Sequence, residues 1–128
     1  MIVCRKPKGI RLGSCGPWRL DFPFASFDGV TAFYAISHVP RDEHGALFER
    51  IARWLVPGGL FLATLGSNDG PDWLGEWLGH PMFFSSFDAE TNRRLLTAAQ
   101  FDLLVDEVIE TLEPEGPTPF LWVLACRR

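Results

Sequence analysis

The stretch that decides the fold runs from Val30-Thr31-Ala32-Phe33-Tyr34-Ala35-Ile36, through Pro57-Gly58-Gly59, to Leu60-Phe61-Leu62-Ala63-Thr64-Leu65. The first segment is β-prone and nearly without polar residues, as expected of a strand covered on both faces. Pro40-Arg41-Asp42 then supplies a turn, with Asp42 as the expected N-cap of the following helix. Between Glu43 and Leu55, Leu47, Ile51, Trp54 and Leu55 recur at helical spacing, with Glu49, Arg50 and Arg53 on other faces. Pro57-Gly58-Gly59 stops that helix, because Pro cannot continue the backbone ladder and Gly reaches the left-handed turn that follows. Leu60 to Leu65 reads as a second buried strand. Strand, helix and strand make a right-handed parallel crossover, and ligands of such sheets gather at the carboxyl ends of the strands. Here those ends are Tyr34 to His38 and Gly66 to Asp69.

Downstream, Asn68 to Phe87 is long and rich in Gly and aromatic residues, including Trp73, Trp77, Phe83 and Phe84. It reads as a lid or binding loop, with a short helix at Asp72 to Leu78. Asp88 caps a helix that continues to Ala99, with Leu95, Leu96 and Ala99 on its apolar face. Leu103 to Ile109 and Phe120 to Ala125 are then two strands joined by a Pro-rich turn, and an antiparallel hairpin is their simplest pairing. Upstream, residues 1–19 mix Lys, Arg, Gly and Pro without periodicity and read as an irregular N-terminal segment, leaving 20–128 as the folded unit.

Composition narrows the function classes. The chain has 128 residues, 47 % hydrophobic, enough for one core and against disorder. A formal charge of −4 gives no electrostatic reason for nucleic-acid or anionic-membrane binding, which needs clustered Lys and Arg. The apolar runs are far shorter than the roughly 20 residues that cross a bilayer. No signal-peptide-length apolar run follows the basic Met1 to Lys8, so the expectation is a cytoplasmic, soluble protein. Cys4, Cys15 and Cys126 lack the short spacings of a zinc site, so no metal is expected.

The ordered pattern resembles the second half of class I S-adenosylmethionine-dependent methyltransferases, of the type 11/25 kind. Its carriers are Phe27-Asp28-Gly29-Val30, the strand to Ile36, His38-Val39-Pro40, and Leu55-Val56-Pro57-Gly58-Gly59. The resemblance covers residues 20–128. It implies an α/β fold: a partial Rossmann-like sheet with the family's fourth and fifth strands parallel, closed by an antiparallel hairpin of its sixth and seventh. The N-terminal half is expected to be missing, because neither the glycine-rich turn that approaches the cofactor nor the acidic residue that holds its ribose is found in the sequence.

The resemblance also implies S-adenosylmethionine as cofactor and methyl transfer to a small-molecule oxygen, nitrogen or carbon. It places Phe33, Tyr34, Ala35 and His38 at the cofactor, with His38 the candidate base. Asp69, Trp73, Trp77 and Phe83 are the candidate acceptor contacts, the aromatic rings serving as an apolar wall or as partners of the sulfonium. Asp69 and Asp72 could also receive an acceptor proton, although acidic residues near Gly and Pro are more often turn formers. Family members commonly carry Gly where Gln100 stands, so a left-handed backbone there would make Gln the costlier residue.

Two other readings compete. A non-catalytic truncated half-domain would expose the edge of the Val30 strand and associate through it, giving a homodimer. A nicotinamide-dependent dehydrogenase is disfavoured by the closing hairpin and by the lack of GxGxxG.

Overall fold

A computed structural model describes residues 20–128 in full and the backbone of residues 2–6 and 9–12. The remaining positions at the N-terminal end, including Cys15, lie outside the described residues. In chain order the elements are β1 (Ile2–Lys6), β2 (Gly9–Leu12), β3 (Phe27–Ala32), α1 (His44–Trp54) and β4 (Leu55–Gly66). There follow β5 (Gly70–Trp77), β6 (His80–Ser86), α2 (Ala89–Ala98), β7 (Phe101–Glu113) and β8 (Gly116–Arg127).

Six strands form one sheet in the order β2-β1-β3-β4-β8-β7, while β5 and β6 pair separately. The deciding crossover is present: β3 and β4 are parallel, with Val30 beside Phe61 and Ala32 beside Ala63. β8 runs antiparallel to both β4 and β7, which closes the sheet as a hairpin.

Two expectations about the N-terminal side are corrected. Residues 2–6 and 9–12, expected to be irregular, form β1 and β2. They extend the sheet to six strands, which argues against a sheet whose N-terminal half is missing. β1 also pairs with β3, so the edge expected to be bare is hydrogen-bonded on both sides. The free edges of the described sheet are β2 and β7.

Burial follows the period of two that a strand imposes. Phe61, Ala63 and Leu65 of β4 and Leu121, Val123 and Ala125 of β8 are buried. They pack with Leu47, Phe48 and Ile51 of α1 and Leu96 of α2 in one core. Phe61 stands 5.6 Å from Phe101 and 6.2 Å from Phe48 between ring centroids. The intervening positions Leu60, Leu62, Trp122 and Leu124 are exposed or only half-buried. Thus β4, expected to be a buried strand, is sealed by helices on one face.

Local details refine the element ends. β3 stops at Ala32, because Tyr34 takes a left-handed backbone (φ 53°) and Ile36 to His38 then form a 3-10 turn. The Asp42 cap is not made: Arg41–Glu43 is itself a 3-10 turn, and α1 begins at His44 without a side-chain cap. Asp88 does cap α2, its carboxylate accepting from the Thr91 amide at 2.7 Å. Bonding to that amide lowers the Asp88 pKa. Gln100, after α2, is left-handed (φ 72°).

The helix expected at Asp72 to Leu78 is instead strand. Trp73, Leu74, Trp77 and Leu78 have helical spacing, but Leu78 and Gly79 both take positive φ and turn the chain back on itself. That pair is the backbone of a two-residue hairpin turn. Trp73 then lies opposite Phe84, and Leu74 opposite Phe83.

Candidate functional site

The β5–β6 hairpin lies over the carboxyl ends of β3 and β4 and roofs a cavity of about 740 Å³. Its floor is Tyr34, Ser37 and His38 after β3 and Gly66, Ser67 and Asn68 at the end of β4. Trp73, Trp77 and Phe84 line the hairpin side, and Glu113, Glu115, Thr118, Pro119 and Phe120 come from the turn end of the β7–β8 hairpin. This size falls within the roughly 300–1,000 Å³ of small-molecule sites.

The floor is set by the sharp end of β3. The left-handed Tyr34 directs its amide to the buried Thr64 hydroxyl at 2.7 Å. Its ring meets Phe120 edge-on at 5.1 Å. Thr64 thereby ties the ends of β3 and β4 together beneath the cavity.

His38 occupies the 3-10 turn, and its Nδ1 lies 2.8 Å from the Phe83 carbonyl. A carbonyl only accepts, so Nδ1 carries the proton, and in the neutral ring Nε2 keeps a lone pair. The Phe84 ring centroid is 4.9 Å away.

The roof is tied to the rest of the fold by polar bonds. Arg41 pairs with Asp69 at 2.6 Å at the foot of the hairpin and lies over the Phe87 ring at 5.2 Å. The Ser85 hydroxyl donates to the Val39 carbonyl at 2.6 Å, and that of Ser86 to Asn68 at 2.7 Å. At the tip, the Trp77 indole N–H donates to the Glu115 carboxylate, joining the two hairpins. Trp73 and Trp77 each place a ring centroid 5.9 Å from Phe84, one tilted by 30° and one edge-on. Gly75 makes room for the Trp73 indole: a Cβ there would stand 2.1 Å from the ring.

Beneath the roof, His44 is buried and donates from Nε2 to Val39, the carbonyl that Ser85 also uses. Its Nδ1 has no hydrogen-bond partner among the described residues. Burial lowers its pKa, outweighing the bonds to backbone that favour the charged form.

Of the sequence candidates, Tyr34, His38, Trp73 and Trp77 come together at the cavity. Phe33 packs on Trp122 at 5.8 Å, and Ala35 is buried in the core. Asp69 is engaged by Arg41, while Phe83 contributes its carbonyl to His38. Asp72 accepts from the Arg41 amide at 3.4 Å. Sequence reasoning did not single out Glu113, Glu115 or Phe120. Their only signal was the acidic, Pro-rich turn itself, which reads locally as a connection.

A mixed sheet with its cavity at the carboxyl ends of parallel strands is a Rossmann-like α/β arrangement. Residues 5–63 match the family model described as "Methyltransferase domain". No curated protein matches the chain. A solved S-adenosylmethionine-dependent methyltransferase from Methanosarcina mazei superposes with a TM-score of 0.72 at 19 % identity, covering 87 % of this chain and 64 % of that one. The 1,6-didemethyltoxoflavin-N1-methyltransferase of Burkholderia thailandensis, solved with that substrate and S-adenosylhomocysteine, gives a TM-score of 0.63 at 26 % identity, covering 91 % and 50 %. A methyltransferase from Mesorhizobium loti gives 0.64 at 18 % identity, covering 88 % and 68 %.

The fold is that of the class I S-adenosylmethionine-dependent methyltransferases. The expected restriction to a C-terminal half is overturned, because the family match begins at residue 5 and these structural matches take in 87 to 91 % of the chain. The chain itself spans between half and about two thirds of the length of these structures. None of the described helices is long and apolar enough to cross a membrane.

Proposed function

We propose that the protein transfers a methyl group from S-adenosylmethionine to a small molecule held beneath the β5–β6 hairpin. The observation that carries this reading is the cavity at the ends of β3 and β4 in a fold of this family. When bound, the cofactor supplies an electrophilic methyl on a sulfonium cation.

The residues present suit that cation. The Tyr34 ring borders a cavity with no Lys or Arg among its described lining residues, so the cation would meet an aromatic face and no like charge. Tyr34 and the backbone of Phe33 and Ala35 are the segment that the family resemblance assigns to the cofactor. The chain's own contribution to rate is then mainly alignment in a site that excludes water. His38, steered by the Phe83 carbonyl, keeps Nε2 to take a proton from the acceptor. Trp73, Trp77 and the Phe83–Phe84 segment hold the acceptor, and Asp69 sets the hairpin's foot through Arg41.

A cytoplasmic location belongs to the same reading. So does a homodimer, for which β2 and β7 are the free edges of the described sheet.

Calorimetric titration with S-adenosylmethionine and S-adenosylhomocysteine tests the proposal. Saturable binding at micromolar concentration is expected. No heat from a protein whose circular dichroism is that of a folded α/β domain would refute it.

A further inference from the structure

We propose that the ligand held beneath the hairpin is a planar aromatic amine, bound by its ring between the aromatic walls and by its cationic group at Glu113 and Glu115. Calling this ligand the methyl acceptor rests on the methyl-transfer reading; the recognition chemistry does not.

The rings come from separate elements. Trp73, Trp77 and Phe84 stand on the hairpin, while Tyr34 and Phe120 form an edge-to-face pair at the ends of β3 and β8. Trp73 is 47 % exposed and Tyr34 40 % exposed, although both border the cavity, so their faces are available rather than consumed by core packing. Walls of this kind select flat, polarizable ligands, because offset-stacked and edge-on contacts reward a second ring.

Charge selects further. Both acidic side chains at the cavity lie on the β7–β8 turn, at one end of the site. Neither forms an ion pair among the described residues; Glu115 accepts from the Trp77 indole N–H, and that neutral donor leaves its charge uncompensated. Arg41, the cation at the foot of the hairpin, is committed to Asp69 and does not line the cavity. A ligand carboxylate or phosphate would find two like charges and no Lys or Arg among the described lining residues, whereas an ammonium group would find carboxylates and ring faces together.

The described lining residues belong to segments 34–38, 66–86 and 113–120. A sulfonium cofactor and an aromatic amine share the same cation chemistry, so the test must distinguish them.

Three probes with one ring system serve: tryptamine, 3-methylindole and indole-3-acetate, each titrated calorimetrically into the full chain with and without saturating S-adenosylhomocysteine. Tryptamine is expected to bind at least about tenfold tighter than indole-3-acetate. In the E113Q/E115Q double variant, which keeps an oxygen acceptor for Trp77, tryptamine should fall to the affinity of 3-methylindole. That neutral probe should itself change by less than about twofold, which reports an intact pocket. Equal or tighter binding of indole-3-acetate overturns the proposal, as does a tryptamine preference that survives the double substitution. Competition between tryptamine and S-adenosylhomocysteine also overturns it, because the cation site would then be the cofactor's. Tryptamine bound by a folded chain that gives no heat with S-adenosylhomocysteine supports this proposal and removes the methyl-transfer reading. The reverse pattern removes this proposal alone.

Discussion

The protein contains two β-hairpins of opposite character. β7–β8 joins strands of 13 and 12 residues within the six-stranded sheet, and one face of β8 is buried at Leu121, Val123 and Ala125. β5–β6 joins strands of 8 and 7 residues, stands outside that sheet, and buries only Ser85. The first is positioned by apolar area removed from water. The second is positioned by individual polar bonds: Ser85 to Val39, His38 to Phe83, Trp77 to Glu115, and Arg41 to Asp69. A two-stranded ribbon is marginal in water by itself, so those bonds decide whether the roof is closed. A closed roof thus depends on pairings between distant segments, while the closing hairpin of the sheet depends on the core.

The largest expected effect separates the two by global stability. Leu121→Ala deletes a fully buried side chain and should cost about 2–5 kcal/mol in urea unfolding, through lost transfer energy and the cavity left behind. Trp73→Ala removes a larger side chain that is half exposed, and its cost should stay below about 1 kcal/mol. Equal costs would mean that the roof is part of the core after all, and the contrast would break.

A repair of backbone strain at matched positions sharpens the same contrast. Gln100 precedes β7 at φ 72°, and Leu78 turns β5 into β6 at φ 50°. Glycine at either position relieves on the order of 1 kcal/mol of left-handed strain. Gln100→Gly should raise the global unfolding midpoint. Leu78→Gly should leave that midpoint in place and slow amide exchange only within 70–86, since the hairpin opens without the core. Exchange slowed throughout the sheet by Leu78→Gly would contradict this.

The smallest effect concerns pH. Burial lowers the His44 pKa, so the folded state prefers the neutral ring. The associated stability is present above the unfolded value of about 6.5 and is lost as pH falls from there through the lower folded pKa. His44→Gln should flatten the fall in stability between about pH 7 and pH 5. An unchanged slope would place the acid sensitivity elsewhere.

The two hairpins also differ in how far they could be read from residues alone. Phe120 to Ala125 is a short apolar run of strand length after a turn rich in Pro, and both features act locally, so the pairing with Leu103 to Ile109 was legible. The same holds for the β3–α1–β4 crossover and for Asp88, whose cap acts within three residues. Trp73, Leu74, Trp77 and Leu78 misled for the opposite reason. Their spacing fits a helix, yet positive φ at Leu78 and Gly79 and the facing of Trp73 with Phe84 carry the chain into a ribbon. At the N-terminal side, weak periodicity concealed β1, whose antiparallel pairing with β3 depends on a partner more than twenty residues away.

For the site, His38, Tyr34, Trp73 and Trp77 could be named because strand ends and aromatic loops are where α/β ligands gather. Glu113, Glu115 and Phe120 could not, since a turn eighty residues downstream reaches the same cavity only through sheet order.

The amino-acid sequence by itself determined the parallel crossover, the closing hairpin and the capped α2, because each follows from periodicity and stop signals within a few residues. Tertiary structure alone decided that β1 and β2 extend the sheet, that the aromatic segment becomes a roof, and that two acidic side chains face the rings. Those outcomes depend on hydrogen bonds and contacts between segments far apart in the chain, and local spacing carries no record of them.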